Sequence, residues 1–158
     1  MKTAVVLSDT HGNRTDLFKI ENILREADLI FHLGDGFFDL QAFDESITKK
    51  VIQVAGNCDG ISFDRERTVE AEGVKIFLTH GDLYGVRQGN LRLLLKAKEI
   101  GANVVFYGHT HVKTIEETNG IIIANPGTLT RYAAEKTFIY AVFQDGKAIL
   151  KINDTAIV

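Results

Sequence analysis

The chain is poor in the residues that would cross-link or stiffen it, with one cysteine, one proline and no tryptophan among 158 residues. The lone Cys58 cannot close an intramolecular disulfide, and a thiolate-based zinc site would need more cysteines than are present. A reducing, cytoplasmic setting is the expectation. Charge of one sign is lacking too: 18 basic against 21 acidic residues leave a formal net charge of −3, so general binding to nucleic acid or to anionic membranes is not expected. Long apolar runs are also missing. The N-terminal run Ala4-Val5-Val6-Leu7 has the length of a strand and not of a signal-peptide core or a membrane span, and no membrane partner is expected.

A hydrophobic content of 45% over this length is enough for one substantial core and too little chain for two ordinary domains, so residues 1–158 are read as a single domain. Short apolar segments at 3–8, 28–33, 51–55, 75–79 and 103–107 are rich in β-branched or aromatic residues and bounded by turn formers, the pattern of buried strands. Between the first two, Leu17, Ile20, Ile23 and Leu24 recur at helical spacing from Asn13 to Ala27, with Asn13 or Thr15 as the N-cap. A second helix is predicted from Arg87 to Ile100, with Leu91, Leu94, Leu95 and Ala97 as its apolar stripe and Gly101 as its C-cap. A weaker helical pattern covers 37–47. Strands at 120–124, 137–143 and 147–152 follow, the last two joined by an Asp145-Gly146 hairpin turn. The result is an α/β domain with parallel and antiparallel strands, possibly two packed sheets with helices outside.

Each early strand runs into a polar motif: Asp9-Thr10-His11, Gly34-Asp35, Gly56-Asn57-Cys58-Asp59, Thr79-His80-Gly81 and Gly108-His109-Thr110-His111. Histidine, aspartate and asparagine are ligands of borderline divalent metals, and the ends of parallel strands are where loops converge on a ligand. Asp9 and His11, like His109 and His111, are spaced by two, which in an extended segment sends both side chains to one side. Glycines 12, 34, 56, 81 and 108 leave room for close backbone approach. The number of candidate ligands suggests two ions. Two divalent ions against Asp9, Asp35 and one hydroxide leave a net positive site, suited to binding a phosphoryl oxygen and to lowering the pKa of a bridging water toward ~7. Asp35, with two carboxylate oxygens, is the candidate bridge.

In these motifs and their order the chain resembles the calcineurin-like metallophosphoesterases, and Gly56-Asn57-Cys58-Asp59 with Asn125-Pro126-Gly127-Thr128 make it similar to the small YfcE/MJ0936-type phosphodiesterase branch. The resemblance covers nearly the whole chain. It implies an αββα four-layer sandwich of two mixed β-sheets flanked by helices. It also implies one ion held by Asp9, His11, Asp35 and His111, and a second by Asp35, Asn57, His80 and His109, with Asn57 also contacting substrate. Manganese or nickel are the first expectation, with zinc, iron or cobalt compatible with the same ligands. The implied activity is hydrolysis of a small phosphodiester by hydroxide bound to the dinuclear centre. The alternatives are a phosphomonoesterase and a non-catalytic binding scaffold like Vps29, which resembles the same branch but lacks part of the ligand set. An open site is expected, to which homo-oligomer contacts would add walls.

The chain departs from the family at two positions. Cys58 stands where many members carry a histidine linked to leaving-group protonation, so no general acid is assigned. Asp82 follows His80-Gly81 where relatives often have a second histidine, and a carboxylate there would favour diesters over dianionic monoesters. Other residues carry plainer readings: His32 as a satisfied core histidine, Cys58 as a small buried filler, and Arg131 as a solvated loop residue. Phe37 and Phe38 are read as packing inward, and Asp59 either binds a ligand histidine or terminates a turn.

Overall fold

The computed structural model describes residues 1–60 and 62–158. Among the described residues, ten strands form two five-stranded sheets. The first sheet has the order β10-β9-β1-β2-β3, built from Lys147–Asp154, Thr137–Gln144, Lys2–Leu7, Leu29–His32 and Val51–Gln53. The second has the order β4-β5-β6-β8-β7, built from Glu66–Ala71, Val74–Thr79, Val104–Phe106, Ile121–Asn125 and Thr114–Thr118. In each sheet the central strands run parallel, β1 with β2 and β2 with β3, β5 with β6 and β6 with β8. Antiparallel strands complete the first sheet beyond β1 alone, where β3 forms the opposite, parallel edge, and the second sheet at both edges.

Alternation along β1 sets the layers. Ala4 and Val6 face the second sheet and join Phe31, Leu33, Ile76, Leu78, Phe106 and Ile139 in a core from which water is excluded. Val5 and Leu7 face the opposite way, into a cluster with Leu17, Ile20, Leu24 and Ile47 from the helices over the first sheet. On the far side, Phe77, Val105 and Ile123 of the second sheet meet Leu93 and Ala97 of its covering helix. Helix, sheet, sheet, helix is the four-layer sandwich expected above. Phe31 and Phe106 meet across the sheet interface at a ring separation of 6.1 Å, and full burial of each side chain contributes about 1.5–3 kcal/mol.

Several elements differ from the sequence reading. The helix expected over 13–27 is two short helices, α1 (Arg14–Lys19) and α2 (Glu21–Glu26), divided at Ile20. Asn13 caps α1, its side chain accepting from the Asp16 N–H, and the break leaves Leu17, Ile20 and Leu24 all fully buried. The 37–47 segment is not one helix but a 3-10 turn at Asp39–Ala42 followed by α3 (Glu45–Thr48), which Asp44 caps. The last helix, α4 (Leu91–Ile100), begins only at Leu91, and the left-handed backbone of Gly101 closes it as predicted. Its buried face is Leu93 and Ala97, while Leu91 and Leu95 are 67% and 55% exposed. The expected stripe was therefore rotated, and residues 87–90, read as the first turn of the helix, form part of the connection that precedes it.

Strands β4 and β7 were missed. Their sequences, Glu-Arg-Thr-Val-Glu-Ala and Thr-Ile-Glu-Glu-Thr, are polar because each lies at an edge of the second sheet and is largely exposed. The signals lay in the turns: Glu72-Gly73 and Asn119-Gly120 both have positive φ, as does Asp145-Gly146, and each links adjacent antiparallel strands.

Candidate metal centre

The loops after β1, β2, β3, β5 and β6 meet at one end of the sandwich, held together by backbone before any side chain is considered. The Asp9 N–H donates to Gly34 O at 2.9 Å and the His11 N–H to Asp35 O at 3.0 Å, joining the first two loops. In the second sheet, the Gly108 N–H donates to His80 O at 2.8 Å. Two contacts cross between sheets: the His109 N–H to Asp9 Oδ2 at 3.0 Å, and His80 Nδ1–H to Leu33 O at 2.7 Å. The second contact fixes the ring proton of neutral His80 on Nδ1 and turns Nε2 into the cluster.

All seven residues singled out from the sequence gather here. Asp9 Oδ1 lies 3.1 Å from His111 Nε2, 3.6 Å from His11 Nε2 and 3.9 Å from His80 Nε2. Asp35 Oδ2 lies 3.3 Å from His80 Nε2 and 3.8 Å from His11 Nε2, so this oxygen stands between both histidine sets. His109 Nδ1 is 3.3 Å from His80 Nε2 and 3.2 Å from Asn57 Oδ1. Two groups of donors converge closely enough for one cation each, Asp9 with His11 and His111, and Asp9 with Asp35 and His80. The donors are imidazole, carboxylate and amide, a set that fits borderline divalent metals.

The route to this convergence differs from the spacing argument. Asp9, His11, Asp35, His109 and His111 all have positive φ, between 44° and 68°. The two Asp/His-x-His pairs share a side through tight left-handed turns, not through a pleated strand. Such conformations cost of order 1–3 kcal/mol each for non-glycine residues and concentrate at functional sites. Close approach also matters at two of the named glycines. A Cβ on Gly56 would stand 2.1 Å from Asp35 Oδ1, and one on Gly108 would stand 2.0 Å from Ser8 Oγ. At Gly12, by contrast, a Cβ would meet nothing within 4 Å.

The supporting residues were mostly invisible beforehand. Asp59 binds no histidine. Its Oδ2 accepts from the N–H groups of Asp35 (2.6 Å) and Gly56 (2.8 Å), and its Oδ1 from Gly36 (2.9 Å) and Phe37 (3.1 Å). Burial works against its ionisation, yet these donors outweigh burial and keep it below the usual carboxylate range. His32 is fully buried and satisfied, as expected, but it also ties loops together: Nδ1 accepts from the Gly34 N–H at 3.2 Å, and Nε2 bonds Thr10 Oγ1 at 3.0 Å. Thr10 in turn donates its hydroxyl to Asp39, which accepts the Gly12 N–H as well. Ser8 donates to Asp9 Oδ2, and Thr128 donates to the Asp9 carbonyl at 2.9 Å. Asn125, noted only as part of Asn-Pro-Gly-Thr, donates to Gly108 O at 3.0 Å and Thr110 Oγ1 at 3.1 Å.

Three plainer readings need correction. Cys58 is exposed, not a buried filler; its N–H donates to Asp35 Oδ1 at 2.8 Å, and burial with the neighbouring Asp35 raises its thiol pKa, so it stays protonated. Asp82 does not stand as a free carboxylate, because Arg65 pairs with it at 2.5 Å. Phe37 and Phe38 do not simply turn inward. Phe37 stacks on Phe63 at 4.1 Å, and Phe38, half-exposed, meets both edge-on. Arg131 is exposed, in line with its reading as a loop residue.

Electrostatically the centre is a set of opposed demands. Burial disfavours the Asp9 carboxylate, but hydrogen bonds from His11 and His111, the charge of His80 and the Ser8 hydroxyl outweigh it and hold Asp9 far below its ordinary range. Asp35 is lowered in the same way, burial being overcome by His80 and the Cys58 N–H. Reciprocally, Asp9 raises His11, and Asp35 with Asp9 raises His80 against the opposing effect of its burial. Burial, then the neighbouring His80 and Arg87, lower His109.

Residues 1–146 match the model of the calcineurin-like phosphoesterase superfamily domain. The probable metallophosphoesterase YsnB of Bacillus subtilis is 31% identical over 96% of this chain and 90% of its own length. Phosphodiesterase MJ0936 of Methanocaldococcus jannaschii is 28% identical over 80% of this chain and 84% of its own. The fold is shared beyond the enzymes: the structure of vacuolar protein sorting 29 from Cryptosporidium parvum superposes with a TM-score of 0.77 at 20% identity, over 97% of each chain. The ordered motifs, the two-sheet sandwich and the full-length likeness to YsnB coincide, and the chain belongs to the calcineurin-like phosphoesterase superfamily.

Proposed function

We propose that this protein is a divalent-metal-dependent phosphodiesterase, with residues 1–158 forming one catalytic domain. The observation that carries the reading is the convergence of two carboxylates, four histidines and Asn57 from five loops at one end of the sandwich. In this reading Asp9, His11, Asp35 and His111 hold one ion, and Asp35, Asn57, His80 and His109 the other. When bound, such a pair supplies Lewis acidity and a water acidic enough to act as nucleophile near neutral pH. The chain's own residues do the positioning. Asp35 Oδ2 stands between the two histidine sets, His80 is held in one tautomer by Leu33 O, and Asn57 reaches from the rim toward substrate. Cys58 provides no strong acid for the leaving group, which favours esters of acidic alcohols.

The test is hydrolysis of bis-p-nitrophenyl phosphate by the purified protein, after chelation and after add-back of manganese or nickel. Turnover is expected to need the metal and to fall by several orders of magnitude in Asp35→Asn; turnover that survives chelation would sink the proposal. Likeness to the vacuolar sorting protein favours a second reading, a binding scaffold. The complete donor set argues against it. A scaffold would bind metal without turning over mono- or diesters under any of these conditions.

A further inference from the structure

Charge around the centre is unevenly balanced. Arg65 is spent on Asp82, which it contacts at 2.5 Å while also donating from Nε to Ala55 O. Arg87 is different: among the described residues it is in no ion pair with a carboxylate, and its Nε lies 3.2 Å from Nε2 of His109. It also borders an open cavity of about 730 Å³, with Asn90, Tyr107, Thr110 and Val112 on the other walls. His109 links Arg87 to the donor cluster, its Nε2 beside Arg87 and its Nδ1 facing Asn57 and His80.

The contact between Arg87 and His109 restricts the tautomer. Arginine only donates, so His109 Nε2 must be unprotonated to accept, and the ring proton then sits on Nδ1. A neutral imidazole that uses Nδ1 as a metal ligand carries its proton on Nε2. That leaves donor facing donor, and the guanidinium must turn away. The cavity gives it room beside the site, and the one carboxylate among the described cavity walls, Glu116, already accepts from Asn90 Nδ2 at 3.0 Å.

We propose that Arg87 is a specificity-determining residue that selects dianionic phosphate, binding the third non-bridging oxygen that a phosphomonoester or inorganic phosphate has and a diester lacks. The inference rests on the phosphoesterase reading of the same site. A guanidinium fork suits this task because it binds two oxygens, or one oxygen twice, with charge-assisted hydrogen bonds. With Asp82 neutralised by Arg65, no free carboxylate at that position repels the second negative charge. The centre is therefore built to take monoesters as a second substrate class and to be inhibited by phosphate.

The experiment compares the wild type, Arg87→Ala and Arg87→Lys, each loaded with manganese and with metal content measured. Inorganic phosphate binding is read by calorimetry, and kcat/KM is read for p-nitrophenyl phosphate and bis-p-nitrophenyl phosphate. Arg87→Ala is expected to weaken phosphate about tenfold or more and to lower the monoester kcat/KM in parallel, with a loss for the diester at least threefold smaller. Arg87→Lys, which keeps the charge without the fork, should fall between. Equal losses for both esters, or unchanged phosphate binding, would overturn the assignment. If the wild type binds phosphate through Arg87 yet hydrolyses neither ester, the assignment stands and the hydrolase reading fails. If the wild type hydrolyses both and the variant discriminates no differently, only the assignment fails.

Discussion

At the scale of single residues, the side chains that hold the loops carry as much of the site as the donors themselves. Asp59 accepts four backbone N–H groups from the two loops that present Asp35 and Asn57. Removing it leaves several partly buried N–H groups without a partner, at about 1–3 kcal/mol for each that water cannot reach. Asp59→Ala is therefore expected to lower stability in denaturant titrations by at least about 2 kcal/mol and to weaken metal binding, whereas an exposed change such as Tyr132→Ala should do neither. Cys58 supports a second prediction. Its thiol remains protonated and is a poor acid, so Cys58→His should narrow the difference in rate between diesters with good and poor leaving groups. An unchanged ratio would show that position 58 takes no part in protonation. The donors were legible because their types and order are distinctive. Asp59, His32 and Arg65 were not, because a carboxylate that accepts backbone N–H groups and one that binds a metal look the same in a sequence.

At the scale of elements, the helix over the second sheet separates pattern from packing. Its apolar residues can be threaded by more than one stripe, and only contact with Phe77, Val105 and Ile123 shows that Leu93, with Ala97, is fully buried. Leu93→Ala is expected to cost about 2–5 kcal/mol and Leu95→Ala less than about 0.5 kcal/mol. Thermal and denaturant melts of the two variants would decide between the observed face and the rotated one. Close loop packing supports a further prediction. A Cβ at position 108 would fall 2.0 Å from Ser8 Oγ and 2.7 Å from Asp9 Oδ2, so Gly108→Ala must push apart the loops that carry Asp9 and His109. The expected result is loss of metal binding in a protein that still folds, read by metal analysis beside circular dichroism. Edge strands β4 and β7 escaped the sequence reading for a reason of the opposite kind. They bury too little to need an apolar pattern, and only the Gly-containing turns beside them announced the pairing.

For the whole molecule, the centre couples protons, metal and stability. His11 and His80 are raised by the buried carboxylates, which in turn are lowered by them. In the metal-free protein, a raised histidine adds stability that is complete below its unfolded pKa of about 6.5 and is lost as pH rises through the folded value. Lowered carboxylates add stability that is present above about 3.9 and is lost as pH falls through their folded values. Metal-free protein should thus be most stable in mildly acidic solution, between those limits. Metal binding has the opposite dependence, because ions require unprotonated imidazoles. Apparent affinity should begin to fall above pH 6.5 on acidification, earlier than for free imidazole. Melts with and without manganese from pH 8 to pH 5 would show the metal-dependent gain in Tm shrinking, and a constant gain would contradict the linkage.

The sequence by itself determined the candidate donors, their order, the strands that end at them and an α/β domain, since short β-branched runs and metal-binding side chain types are chosen by chemistry that acts locally; the four-layer arrangement was implied by the family resemblance those motifs carry. Tertiary structure decided what depends on neighbours distant in the chain. It showed that Asp9 and His109 meet through left-handed turns, that Arg65 cancels Asp82, and that Arg87 lies beside His109 with no carboxylate paired to it among the described residues. Those pairings span from 17 to 100 residues, and side-chain charge is neutralised by proximity in space, which spacing along the chain does not encode.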